Sequence, residues 1–147
     1  MSNREVVEAY ARAFGASDLE DQYQYLHPDL VEVYPQSGEV FRGRDARQAM
    51  FKSWPQDEFP TAASMPSVIG SADQWILMPT FSTLKVMGTG DEYTGVGTVT
   101  YPNGETWHMV QLIRLREGKI AHLTSYFAAP FPAPDWRAPF REEPAGQ

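Results

Sequence analysis

The residue pattern changes period once, at Trp54-Pro55, and that change limits the folds open to the chain. Before it, apart from a short alternating stretch at 30–34, apolar residues recur at three- and four-residue spacing. After it, β-branched and aromatic residues gather in runs bounded by Gly, Pro, Asn and Asp. Ser2 and Glu5 form a capping box ahead of Val6, Val7, Tyr10, Ala13 and Phe14 on one face, so residues 3–15 read as a helix that Gly15 ends. Ser17 and Glu20 repeat the box before Leu19, Tyr23 and Leu26, and His27-Pro28-Asp29 stops this second helix. Residues 30–34 alternate as a short strand. Asp45 then caps a third helix, with Gln48 three positions on and Ala46, Ala49, Met50 and Trp54 along its apolar side. Arg42, Arg44 and Arg47 beside it read as a solvated positive cluster.

Beyond Pro55, residues 62–69, 74–86, 92–101, 106–116 and 119–127 read as strands. Tyr101-Pro102-Asn103-Gly104-Glu105 and Arg116-Glu117-Gly118-Lys119 read as hairpin turns, with Gly where a positive φ is needed. Helices first and antiparallel strands afterwards make an α+β domain. The expected architecture is three N-terminal helices packed in the concave face of a strongly curved, mainly antiparallel sheet: a cone whose open end would hold a small ligand. Residues 1–130 make up this domain. Residues 131–147 form a Pro-rich tail that cannot continue a sheet, and its Phe131, Trp136 and Phe140 imply that it docks on the domain.

Composition narrows the function. A chain of 147 residues is one domain by length, and 42% hydrophobic residues place it outside the disordered range. A net charge of −7 argues against nucleic acid or an anionic membrane as partner. There is no cysteine, hence no disulfide, thiol nucleophile or Cys-based metal site. His27, His108 and His122 lack metal-ligand spacing, so no metal is expected. No apolar run is long enough to span a membrane and no signal-peptide core opens the chain, which points to the cytoplasm.

One residue resists this frame. If Tyr34 points into the cone, alternation sends Glu32 there too, and a buried carboxylate needs a reason. Glu32 is a general base, a carboxylate satisfied by an arginine or a tyrosine, or a residue exposed at the strand end. Trp107, Met109 and Gln111 share one face of their strand and His108 the other. Trp54 and Trp75 with Phe51 and Phe81 read as core aromatics first and ligand contacts second. His27 either caps the second helix or rims the cavity.

In YARAF on the first helix, SDLEDQYQYLHPDLVEVYP into the first strand, GEVFRGRDA before the third helix and LIRLREGKIAHLTSYFAAPF at the end, the chain resembles the nuclear transport factor 2-like superfamily, which includes ketosteroid isomerase and the SnoaL-like polyketide cyclases. The resemblance implies the cone fold, a homodimer through the outer sheet face, and cofactor-independent acid/base chemistry on a small hydrophobic, carbonyl-bearing or polycyclic molecule. A non-catalytic ligand-binding module is the other role this fold implies. Tyr10 matches the helix-1 tyrosine that donates to the dienolate oxygen in the isomerases. Tyr34 stands where they carry the aspartate base, and Gln111 where they carry a second acid. A phenol titrating near pH ~10 is a poor base, so the proton would pass to Glu32, with Tyr10, Gln111 and Tyr34 around the substrate oxygen. Trp107, Met109, Leu123, Phe127, Trp54 and His27 would line the site. In the cyclases the inward face of the last strand carries polar groups. By the same parity Ala121, Leu123, Ser125 and Phe127 face inward here, and His122 joins the site only if that strand is slipped by one residue.

Overall fold

The computed structural model describes residues 1–55, 57–60, 62–70 (backbone only) and 90–142. The expected strand 74–86, with Trp75 and Phe81, lies outside the described residues. In chain order the elements are α1 (Asn3–Gly15), α2 (Leu19–Gln24), β1 (Leu26–Tyr34), β2 (Glu39–Arg42), α3 (Arg44–Lys52), β3 (Ala62–Gly70), β4 (Glu92–Thr100), β5 (Thr106–Arg116), β6 (Lys119–Ala128) and a short 3-10 turn, Asp135–Phe140. The strands form one open sheet in the order β2-β1-β6-β5-β4-β3. Among the described strands only β1 and β6 run parallel, as the link between the N-terminal and C-terminal halves of the sheet. This is the α+β cone expected from the order of elements. Among the described residues no helix is long and apolar enough to cross a membrane.

The capping box of α1 forms as read: Ser2 Oγ accepts from Glu5 N at 3.2 Å, and Ser2 N donates to Glu5 Oε2 at 2.6 Å. Val6, Val7, Tyr10 and Ala11 of this helix pack with Leu26, Leu30, Met109, Ile113, Ile120 and Leu123 of the sheet into the core. The second cap differs from expectation. Asp18, not Ser17, caps α2 by accepting from Asp21 N at 2.9 Å, while Ser17 sits at φ 55° in the turn between the helices. β1 also starts earlier than expected, at Leu26. It takes in Pro28, which lies where the β1–β6 register shifts and no ladder donor is needed.

Helix α3 departs furthest from its sequence pattern. Gly43 stands at its N-cap with no side-chain cap, and Asp45 instead accepts from Tyr23 Oη at 2.5 Å. Ala46 and Ala49, the expected apolar side, are exposed, whereas Arg47 and Gln48 are buried. Arg47 is therefore no part of a solvated cluster. β2 is an additional edge strand, pairing Val33 with Val40 after the Pro35-to-Gly38 turn.

The β5–β6 hairpin turns on Glu117 and Gly118, both at positive φ (55° and 74°), the pair of conformations that matches strand twist in a two-residue turn. A bulge follows: Leu115 pairs with Ile120 and Arg114 with His122, leaving Ala121 as the extra residue. It moves the inward position from Ala121 to Ile120 and leaves Leu123 and Ser125 facing the core, with His122 and Tyr126 outward.

Candidate active site

Six elements each contribute one buried polar side chain to a single point inside the cone. Glu32 comes from β1, Arg47 from α3, Tyr10 from α1, Gln22 from α2, Gln111 from β5 and Ser125 from β6. Alternation along β1 turns Leu30 and Glu32 to the core side together, and Gln111 and Ser125 are direct partners across β5 and β6.

The contacts close a ring of two arms, each running from the cation to the carboxylate. Arg47 Nε donates to Glu32 Oε1 at 3.0 Å. In the other direction Arg47 Nη2 donates to Tyr10 Oη at 3.3 Å, Tyr10 Oη to Gln111 Oε1 at 3.2 Å, Gln111 Nε2 to Ser125 Oγ at 3.0 Å, and Ser125 Oγ to Glu32 Oε2 at 3.2 Å. Both arms start at the cation and end at the carboxylate, so the two charges fix every hydroxyl and amide between them. Gln22 Oε1 accepts from Nη1 and Nη2 of Arg47 at 3.4 and 3.3 Å, and the guanidinium lies over the Phe51 ring at 4.6 Å from its centre. Burial works most strongly against the Arg47 charge, but Glu32, Tyr10 and Tyr34 together outweigh it and leave its pKa raised. Burial likewise raises the Tyr10 phenol, and it raises Tyr34, where the Glu32 charge adds to the effect.

Above this ring lies a cavity of about 50 Å³. Glu32, Gln111 and Gln22 give it a polar floor, and Tyr34, Phe51, Trp54, Phe59, Tyr101 and Phe127 supply aromatic walls. Tyr34 stands edge-on to Phe41 and Phe127, with ring centres 5.2 and 5.6 Å away. Phe127 N donates to Gln36 Oε1 at 2.5 Å, tying the Pro35-to-Gly38 turn to the end of β6. A second hollow of about 410 Å³, lined by Trp107, Asp57, Glu58 and Asn103, shares Trp54 and Tyr101 with the cavity.

Of the residues singled out in the sequence, Glu32, Tyr34, Gln111, Trp54 and Phe127 line the cavity. Tyr10 sits beneath it, fully buried, with its hydroxyl engaged in the ring. Met109 and Leu123 belong to the core, and Trp107 flanks the outer hollow against Tyr101. His27 does not rim the cavity. It lies at the opposite end of β1, where Nδ1 accepts from Asp29 N at 3.0 Å and Nε2 is 3.8 Å from Glu117 Oε2, because β1 begins four residues before the expected strand. His122 is on the outer face, since the bulge preserves the inward setting of Leu123 and Ser125. Arg47, Gln22 and Ser125 were not among the expected site residues. The only signal for Arg47 was the carboxylate itself, which needs a cation nearby if it is to be buried.

Residues 7–123 match the model of the SnoaL-like domain, and the chain belongs to that family. Among solved structures it is similar to an NTF-2 like protein of unknown function from Burkholderia xenovorans, with 27% identity, a TM-score of 0.72, and 96% of this chain and 94% of that one covered. A candidate ketosteroid isomerase from Kribbella flavida shares the fold at 16% identity and a TM-score of 0.71, over 98% of this chain and 91% of that one. So does a protein with a ketosteroid isomerase-like fold from Catenulispora acidiphila, in complex with trimethylamine, at 16% identity and a TM-score of 0.57, over 84% of this chain and 85% of that one. No curated protein sequence matches the chain.

Proposed function

We propose that the protein is a small-molecule enzyme that carries out cofactor-independent acid/base chemistry, with Glu32 as the base that moves a proton on a hydrophobic carbonyl compound. The observation that carries this reading is the way Glu32 is held. Arg47 occupies one lone pair of Oε1 and Ser125 one lone pair of Oε2, while the carboxylate faces the cavity. An ionised carboxylate has about four acceptor sites, so each oxygen keeps one for a substrate proton. The pair is not bidentate, and the base is oriented without being consumed.

The remaining roles follow from the donors. Gln111 Nε2 gives one hydrogen to Ser125 and keeps a second for an enolate-like oxygen. Tyr34, its phenol held protonated by burial and by Glu32, is a second donor at the wall. Tyr10 and Arg47 act through Gln111 and Glu32 as positioning residues. The cavity is far below the roughly 300–1,000 Å³ of drug-sized sites, so it takes the reactive end of the substrate, and the hollow beyond Trp54 and Tyr101 takes the rest. Isomerisation, cyclisation and dehydration all use this apparatus.

The ring of mutually satisfied groups supports a second reading, a pocket that only binds. The Catenulispora protein, in complex with trimethylamine, gives a small organic ligand in a chain of the same fold. One experiment separates the two readings. A panel of small cyclic ketones is incubated in D2O with the protein, and α-deuterium uptake is followed by mass spectrometry. The enzyme reading expects uptake that the Glu32→Gln variant loses by about 10²-fold or more. Unchanged uptake in that variant sinks the mechanism. Saturable binding without uptake establishes the binding module.

A further inference from the structure

The tail rings Phe131, Trp136 and Phe140 are exposed and do not dock on the domain as expected. The rings that do converge outside the core are Trp54, Tyr101 and Trp107, around the hollow of about 410 Å³ next to the cavity. Tyr101 and Trp107 meet at 63° with ring centres 5.2 Å apart, a corner that leaves aromatic surface of both turned to the hollow. Trp54 forms another side, stacked on Phe51 at 5.9 Å and edge-on to Phe59 at 5.8 Å. The β4–β5 turn beside Tyr101 is closed by Tyr101 N donating to Glu105 O and Gly104 N to Tyr101 O, both at 2.9 Å. The corner is therefore built before any ligand arrives. The charge of the hollow has one sign. Asp57 and Glu58 line it, both exposed, and among the described residues no Lys or Arg lines it or pairs with either carboxylate. A third carboxylate, Glu105, accepts from Trp107 Nε1 at 2.8 Å. That bond occupies the one donor of the indole, so Trp107 offers a ligand its aromatic face.

We propose that this hollow is a subsite for an organic ammonium group, so that the ligand spanning cavity and hollow is an amine cation with a carbonyl-bearing apolar end. The inference rests on the function proposed above for the cavity half of the ligand and adds the charge of the other half. Other occupants fit worse. An anion would face Asp57 and Glu58 with no cation to receive it. A wholly apolar group would strip water from both carboxylates and return no partner. A metal ion needs a tighter set of ligands, and among the described residues no three His, Asp or Glu side chains gather to hold one. A tertiary or quaternary ammonium meets both features at once. The aromatic faces attract its diffuse charge, and the carboxylates make the potential around it more negative. The net charge of −7 also draws such a ligand toward the protein.

The test compares choline with 3,3-dimethylbutan-1-ol, which has the same shape with carbon in place of the charged nitrogen. Calorimetric titration of the full chain should give a dissociation constant roughly tenfold or more lower for choline. Raising the salt from about 0.02 M to about 0.5 M should weaken choline and leave the alcohol unaffected. Asp57→Asn/Glu58→Gln changes two exposed side chains and should weaken choline about threefold or more at low salt. Trp107→Leu should weaken it about fivefold or more, and Trp107→Phe, which keeps a ring, should recover part of that loss. The indole N–H signal that disappears from the NMR spectrum of Trp107→Phe locates the ligand, because choline should shift it. Equal affinity for the two probes overturns the proposal. So does choline binding that leaves the Trp107 signal in place, or a carboxylate variant that binds choline as tightly as the unaltered chain. None of these readouts uses turnover. Absent α-deuterium uptake would sink the role of Glu32 and leave choline binding as it is, whereas uptake without a preference for choline would sink the ammonium subsite alone.

Discussion

Arg47 Nε lies 3.0 Å from Glu32 Oε1, and both side chains are 1% exposed. Removing one member of a buried pair strands the other charge, at a cost of about 3–5 kcal/mol. Arg47→Met is expected to lose that much in urea denaturation. The double variant Arg47→Met/Glu32→Gln should regain at least half, because neutralising the carboxylate removes the stranded charge. A double variant no more stable than Arg47→Met would show that the loss comes from packing on Phe51 and not from the charge.

Ser125 joins two groups that have no direct contact with each other, Gln111 Nε2 and Glu32 Oε2. Ser125→Ala leaves a buried donor and a buried acceptor each one partner short, and about 1–3 kcal/mol of stability should go. Tyr10→Phe breaks the same arm one link earlier. In a double-mutant cycle the two losses should miss additivity by more than about 0.5 kcal/mol, since both act through Gln111. Additive losses would mean that the arm is a string of independent bonds.

Tyr10 and Tyr34 both have phenol pKa values raised in the folded chain, chiefly by burial. In the unfolded chain they ionise near pH ~10. Below that pH both states are protonated and the stabilisation is fully present; above it the unfolded state sheds protons that the folded state keeps. Stability should therefore fall as pH rises past ~10, by up to about 2.7 kcal/mol per pH unit for the two groups together. Tyr101 is raised by burial as well, so Tyr34→Phe should lower that slope by up to about 1.4 kcal/mol per pH unit without abolishing it, in denaturant titrations between pH 10 and 11. An unchanged slope would place the alkaline sensitivity elsewhere.

The capping box of α1 is local and exposed. Ser2→Ala is expected to cost about 0.5–2 kcal/mol, and Ser2→Asp should restore most of it. Neither change should move the α-deuterium uptake of the protein. A matching loss of uptake would show that the seating of α1 controls the site.

The sequence by itself determined what depends on neighbours along the chain. The capping box and apolar face of α1, the Glu117-Gly118 hairpin and the alternation of β4 and β5 each need only a few adjacent residues, and these elements formed where the pattern put them. The same alternation sent Glu32 and Tyr34 inward together and put Gln111 on the core face. Tertiary structure decided whatever needed a partner distant in sequence. The helical pattern of α3 favours Ala46 and Ala49 for the interior, yet Arg47 is buried because Glu32, fifteen residues away, compensates its charge at a point only the fold brings close. Pairing with β6 lets β1 reach back to Leu26 and carries His27 away from the cavity. One bulged residue, Ala121, sets the face of His122. Periodicity is a property of one segment. Charge compensation and register are properties of pairs of segments, and the ring around Glu32 is made of those.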